Sequence, residues 1–214
     1  MRNFVANITS LSNDANGAFE DQTLGAAGTL TLNGALASGG VVTFAQAQKI
    51  SIEGTGNNSG VTATITGTDV DGTVVSEALV LANNGTVTSV LYYKTITSIT
   101  TSAALTGNIE GGPLSANGCV SKSLRVNSNQ MDFKLGLFAD MSGTLTYTIQ
   151  YAYEQPEGDY SVSYSASADW RAVDAMSAVT ADTTGNIFYP VQAVRALISA
   201  YTSGTLKLTA TQSM

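Results

Sequence analysis

Residues Thr144-Leu145-Thr146-Tyr147-Thr148-Ile149-Gln150-Tyr151 set Leu145, Tyr147, Ile149 and Tyr151 against Thr144, Thr146, Thr148 and Gln150. Strict alternation of this kind sends apolar side chains to one face of a strand and hydroxyls to the other. The same period recurs upstream. Phe4, Ala6 and Ile8 alternate with Val5, Asn7 and Thr9, and Val61, Ala63 and Ile65 alternate with Thr62, Thr64 and Thr66. Phe133, Leu135 and Leu137 alternate with Asp132 and Lys134, and Tyr160, Val162 and Tyr164 oppose Ser161, Ser163 and Ser165. The chain of 214 residues holds 28 Thr and 22 Ser beside 21 Gly, so its polar residues are those of pleated surfaces and turns. An all-β fold follows.

Turn residues punctuate the strands. Asn33-Gly34, the 54–60 run Gly-Thr-Gly-Asn-Asn-Ser-Gly, Asp69-Val70-Asp71-Gly72, Asn83-Asn84-Gly85, Thr183-Thr184-Gly185-Asn186 and Ser203-Gly204 all read as reversals, with Asn33-Gly34 the strongest hairpin signal. Ile96 and Ile99 are three apart within an otherwise alternating strand, which points to a bulge. Residues 111–118, rich in Gly, Pro, Asn and Ser, form the expected linker between a β domain over 1–112 and a second over 119–214, each a sandwich or jelly-roll-like unit. Residues 10–28 read as a loop or an extended arm, and 209–214 as a candidate arm. At most one short helix is expected, and 170–179 is the one segment where it is credible, because Trp170, Val173, Met176 and Val179 recur at three-residue steps behind a possible Asp169 cap.

Composition narrows the function. No His is present, which removes the commonest general base and the commonest metal ligand. Cys119 is alone, so no intrachain disulfide forms; it is expected as a small core residue. Asp69-Val70-Asp71-Gly72 resembles the opening of a calcium loop, but the twelfth position is Val80 where a Glu is needed, so a turn is expected instead. Glu154, Glu157 and Asp159 cluster in a turn with Pro156 and Gly158 and read as solvated rather than as a carboxylate pair for glycoside hydrolysis. No enzymatic activity, no cofactor and no metal are expected.

Nine basic residues spread along a chain of net charge −7 make no phosphate-binding stripe, so no direct nucleic-acid partner is expected. No run approaches the length of a membrane span, and the N-terminal residues lack the apolar core of a signal peptide, so synthesis in a cytoplasm is expected. Of the nine tyrosines, Tyr147, Tyr151 and Tyr153 share the face of Leu145 and Ile149 and are expected in the core. Tyr92, Tyr93, Tyr160 and Tyr164 are the candidate partner contacts, because Tyr offers large contact area at low entropy cost.

Two segments resemble a known group. Ile50-Ser51-Ile52, then Gly60-Val61-Thr62-Ala63-Thr64-Ile65-Thr66-Gly67-Thr68-Asp69-Val70-Asp71-Gly72, then Tyr93-Lys94-Thr95-Ile96-Thr97-Ser98-Ile99, is similar to a stretch frequent in virion structural proteins of tailed bacteriophages. Tyr147-Thr148-Ile149-Gln150-Tyr151, Trp170, Gly185-Asn186, Pro190-Val191-Gln192-Ala193-Val194-Arg195 and Gly204-Thr205-Leu206-Lys207-Leu208-Thr209 resemble the closing β domain of such proteins. Together they span about half the chain. The resemblance implies a capsid decoration or cement protein on the virion exterior, with the major capsid protein and copies of itself as partners. It brings no catalytic residues. The alternative it leaves open is a tail, head–tail or fibre component, including a module that binds a host surface. A homotrimer is expected from shell symmetry alone.

Overall fold

The computed structural model describes residues 2–129, 132–153 and 169–212. It is all-β. The helical content of these residues is two single 3-10 turns, Ser115–Asn117 and Asp174–Met176. Strand β1 (Arg2–Ile8) opens the chain. Then come β2 (Phe19–Gln22), β3 (Gly28–Thr29), β4 (Ala37–Ser38), β5 (Val41–Gln48), β6 (Ile50–Gly54), β7 (Thr62–Thr68), β8 (Val74–Val80), β9 (Thr86–Thr88), β10 (Tyr93–Thr101) and β11 (Ile109–Pro113). The last six are β12 (Cys119–Val120), β13 (Leu124–Arg125), β14 (Leu135–Ala152), β15 (Arg171–Ala172), β16 (Thr183–Ile187) and β17 (Ala193–Gln212). They divide into two compact units. One is Ser12–Asn117, and the other joins Met1–Leu11 to Gly118–Met214.

In the Ser12–Asn117 unit, antiparallel strands run β5-β10-β7-β8, with β3 sharing an edge of β10 and β4 flanking β5. A second sheet runs β2-β11-β6-β9. Alternating residues of both sheets meet in one core, including Phe19, Phe44, Ile50, Ile52, Ile65, Tyr93, Ile96, Ile99 and Ile109. The expected bulge is present: the β10–β7 register shifts between Ile96 and Ser98, which lets both Ile96 and Ile99 face inward.

Asp69-Gly72 closes the β7–β8 hairpin. Asp69 Oδ1 accepts from the amides of Asp71 at 2.9 Å and Thr73 at 3.0 Å, and Gly72 supplies φ +91°. Asn33-Gly34 behaves differently from its hairpin reading. The strands on either side of it, β3 and β4, pair with β10 and β5 and not with each other. Gly34 instead donates to Ala18 O, and its α-carbon lies where any side chain would overlap the backbone of Asn16 and Gly17. Close approach, not reversal, is why this position is Gly. Residues 10–28 also depart from an extended arm, because Ala18 and Phe19 are fully buried and β2 pairs with β11.

In the other unit, β14 and β17 run antiparallel over 18 and 20 residues. β17 carries β1 along Leu206–Gln212, and β12 and β13 near Ile198 and Val194. β14 carries β16 along Leu135–Ala139 and β15 at Gln150 and Tyr151. Inward residues from both ends of the long pair, Leu135, Leu137, Leu206 and Leu208 at one and Leu145, Tyr147, Ile149 and Ile198 at the other, belong to a single apolar cluster.

Four expectations change in this unit. Ser203-Gly204 is no chain reversal but a kink inside β17. Thr183-Gly185 is strand, and Gly185 is small because Met176 packs against it: a β-carbon there would lie 2.7 Å from the Met176 sulfur. No α-helix forms over 170–179. That segment pairs through β15, makes one 3-10 turn, and bridges back when Tyr147 and Val179 exchange amide bonds at 2.9 and 2.8 Å. Its three-residue spacing comes from touching the edge of β14 twice, not from a helical face. The residues of 209–212 expected as an arm are likewise interior to a ladder, paired with β1 and β14.

Candidate functional site

Tyr93 is not a surface residue. It begins β10 with its ring turned into the core, fully buried, and its hydroxyl has no hydrogen-bond partner. Burial, reinforced by the nearby Glu77 carboxylate, holds the phenol far above its ordinary pKa. Tyr92 is half-buried, with the Lys49 ammonium 5.2 Å from its ring centre. Tyr160 and Tyr164 lie outside the described residues, as do Glu154, Glu157 and Asp159.

The tyrosines that reach the surface are others. Tyr147 is a core residue whose hydroxyl donates to Ala181 O at 2.8 Å. Tyr151 is buried as expected, but Tyr153, the next in the alternation, is 49% exposed because β14 ends at Ala152. Beside it stand Tyr189 at 42% and Phe188 at 69% exposure. Tyr151 lies edge-on to both outer rings, with centroids 5.4 Å from Tyr153 and from Tyr189, and the two outer rings are 5.9 Å apart at 37°. The Tyr151 phenol is held above its usual pKa chiefly by its hydrogen bond to Tyr189.

A charged pair borders the rings. Arg171, opposite Tyr151 in the β14–β15 ladder, donates from Nε at 3.0 Å and Nη2 at 2.7 Å to Asp169 Oδ2. Its guanidinium carbon is 5.8 Å from the Tyr153 centroid, and its hydrogen bond to Asp169 raises its pKa. On the opposite face of β14, Arg195 stacks on Trp170 at 4.0 Å and donates to Gln150 Oε1 at 2.9 Å.

Phe188 and Tyr189 stand in a break between two strands. Pro190 was the available signal, since it cannot donate to a ladder and argues for a break. The break occurs: β16 ends at Ile187 and β17 begins at Ala193.

A second surface lies on the Ser12–Asn117 unit. The outward residues of β8, β7 and β10 form cross-strand rows Ala78-Thr64-Thr100, Ser76-Thr66-Ser98 and Val74-Thr68-Thr95. None is charged. Hydroxyls pair across the rows, Thr68 with Thr95 at 2.7 Å and Thr66 with Ser76 at 3.3 Å, and Val74 and Val80 are each 63% exposed at the margin.

Cys119 is fully buried, and burial pushes its thiol up to about 12. Among the described residues no group of three or more His, Cys, Asp or Glu lies together. No helix of the described residues is long and apolar enough to cross a membrane.

No protein-family model matches the chain, and no curated protein matches it in sequence. Among solved structures, the chain is similar to the crystal structure of the major capsid protein P2 from bacteriophage PM2, at 9% identity and a TM-score of 0.20, over 99% of this chain and 97% of that one. At that TM-score the likeness carries no argument about function.

Proposed function

We propose that this chain is a structural virion protein of the decoration or cement type. It binds the outer surface of a capsid through β-sheet faces, with the major capsid protein and further copies of itself as partners and a homotrimer as the unit. It acts by contact, without catalysis, cofactor, metal or direct nucleic-acid binding.

The observation that carries this reading is the uncharged outer face of β8, β7 and β10. Rows of Thr, Ser, Ala and Val with paired hydroxyls give a surface low in charge, as the cores of protein interfaces are. Two of its three strands, β7 and most of β10, lie in the segments that resemble tailed-phage virion proteins, 60–72 and 93–99. Repeated on a symmetric shell, modest contacts of this kind add through multivalency. A ligand of the assembled state stabilises that state by linkage.

The test compares genome release on heating from particles with and without the protein. A higher release temperature with the protein bound, lost in a Thr64→Lys/Thr66→Lys variant that still folds, is the expected result. Equal release temperatures reject the cement role. A second reading, a tail or fibre component that touches a host surface, is favoured by the exposed ring group at Tyr153 and Tyr189. Copy number per particle separates the two, hundreds for cement and at most dozens for a tail part.

A further inference from the structure

We infer that Tyr153, Tyr189, Asp169 and Arg171 form a carbohydrate subsite that takes one sugar ring of a neutral oligosaccharide. The site stands or falls separately from the cement role, since it concerns what the isolated chain binds.

The rings are arranged as a platform. Tyr153 and Tyr189 lie side by side, half exposed, 5.9 Å apart and tilted by 37°. Beneath them Tyr151 meets both rings edge-on, with centroids at 5.4 Å. Tyr151 is itself buried in the core, so the two outer rings are fixed before any ligand arrives. A platform ordered in advance loses little side-chain entropy on binding. Tyrosine suits a ligand with one apolar face and polar edges, because its own ring is apolar and its tip is polar.

The polar edge is supplied by Asp169 and Arg171. Both Arg171 bonds go to one oxygen, Asp169 Oδ2. Among the described residues, Asp169 Oδ1 and Arg171 Nη1 make no protein hydrogen bond, and both side chains are more than half exposed. An acceptor therefore stands beside a donor, next to the Tyr153 ring. Adjacent sugar hydroxyls each donate and accept, so a pair of them matches this fork while the C–H face rests on the rings. The two side chains cancel in charge, which favours a neutral ligand over a phosphate or a basic peptide. Exposed Tyr and Arg also mark protein hot spots, but those bury an anchor in a partner, whereas here a half-exposed carboxylate and guanidinium sit at the edge of two flat rings.

The experiment uses the full chain with cellohexaose, chitohexaose and maltohexaose as probes, read by saturation-transfer NMR and titration calorimetry. Saturation should pass to the sugar C–H protons of at least one probe, with a Kd of about 1 mM or tighter. Tyr153→Ala and Tyr189→Ala should each weaken that binding about tenfold or more, while Tyr153→Phe should stay within about threefold. Asp169→Asn, at an exposed position with no role in the core, should weaken it about fivefold or more. Thermal unfolding confirms that each variant folds. Absence of saturation transfer for all three probes overturns the proposal, and so does binding that survives both alanine variants. If the alanine variants weaken attachment to particles while no probe binds, the patch is a protein-docking surface and the carbohydrate assignment fails.

Discussion

Gly143 and Gly204 face each other across the β14–β17 ladder, each with positive φ, +78° and +104°. Their close approach leaves no room for side chains: a β-carbon on Gly143 would lie 2.6 Å from the Gly204 α-carbon. Immediately beyond the pair, the register shifts between Thr144 and Leu145 and again between Thr146 and Tyr147. Two strands of this length cannot stay straight and still bury one face in one core. The glycine pair and the adjoining bulges re-aim them, so that Leu135, Leu137, Leu145 and Tyr147 share a cluster.

Gly204→Ala should therefore destabilise the protein by about 2–4 kcal/mol, from a strained φ and overlap with the Ser142 carbonyl. Gly136→Ala serves as the control. It lies in the partner strand β14, without positive φ and with its nearest neighbour at 3.8 Å, and should change stability little. Urea unfolding of the two variants measures the difference. A Gly204→Ala variant as stable as the control contradicts the kink.

Cys119 should be inert in the native protein. With its thiol pushed up to about 12 by burial, almost no thiolate exists at pH 8, and the side chain is closed to solvent. Iodoacetamide should label it only on opening, and much faster in guanidinium. The folded state keeps the proton that the unfolded thiol releases, so stability should also fall as pH rises from about 8.5 toward the folded pKa. Native labelling at the denatured rate would place the thiol at the surface.

Tyr93→Phe removes a buried hydroxyl that has no partner, so it should leave stability unchanged or raise it by up to about 1 kcal/mol. Denaturant midpoints decide it. A loss above 1 kcal/mol would mean that the hydroxyl is satisfied in solution.

These residues also show what the sequence carried. Local alternation made β7, β14 and the Asp69–Gly72 hairpin legible, because period and turn chemistry act over a few neighbours. The Ile96–Ile99 spacing carried the bulge for the same reason. Asn33-Gly34 and Ser203-Gly204 misled because Gly permits a reversal, a kink or a close approach alike, and distant chain decides among them. β1 pairs with β17, about 200 residues away, and no local pattern encodes that. The ring cluster was hidden similarly. Tyr153 continues the core alternation by one step, and only the end of β14 turns it outward beside Tyr189.

Asp69 offers the sharpest pH test. Its Oδ1 caps the hairpin by accepting from Asp71 and Thr73, while Oδ2 is buried without a partner. Its carboxyl is raised above the ordinary value, first by burial and also by the Asp71 charge, against the backbone bonds that lower it. A raised folded pKa means that the folded state takes up the proton more readily than the unfolded chain. The resulting stability is fully present below the unfolded pKa and is lost as pH rises through the folded value. Asp69→Asn keeps an acceptor for both amides but cannot titrate. It should stay within about 1 kcal/mol of wild type at pH 7. On acidification through the carboxyl range, wild type should gain on it. Asp69→Ala removes the acceptor and should cost about 1–3 kcal/mol at either pH. Urea midpoints for the three proteins at pH 7 and pH 3 measure this. If wild type loses ground to Asp69→Asn in acid, the carboxylate is favoured in its ionised form and the buried, half-paired Asp69 is wrong.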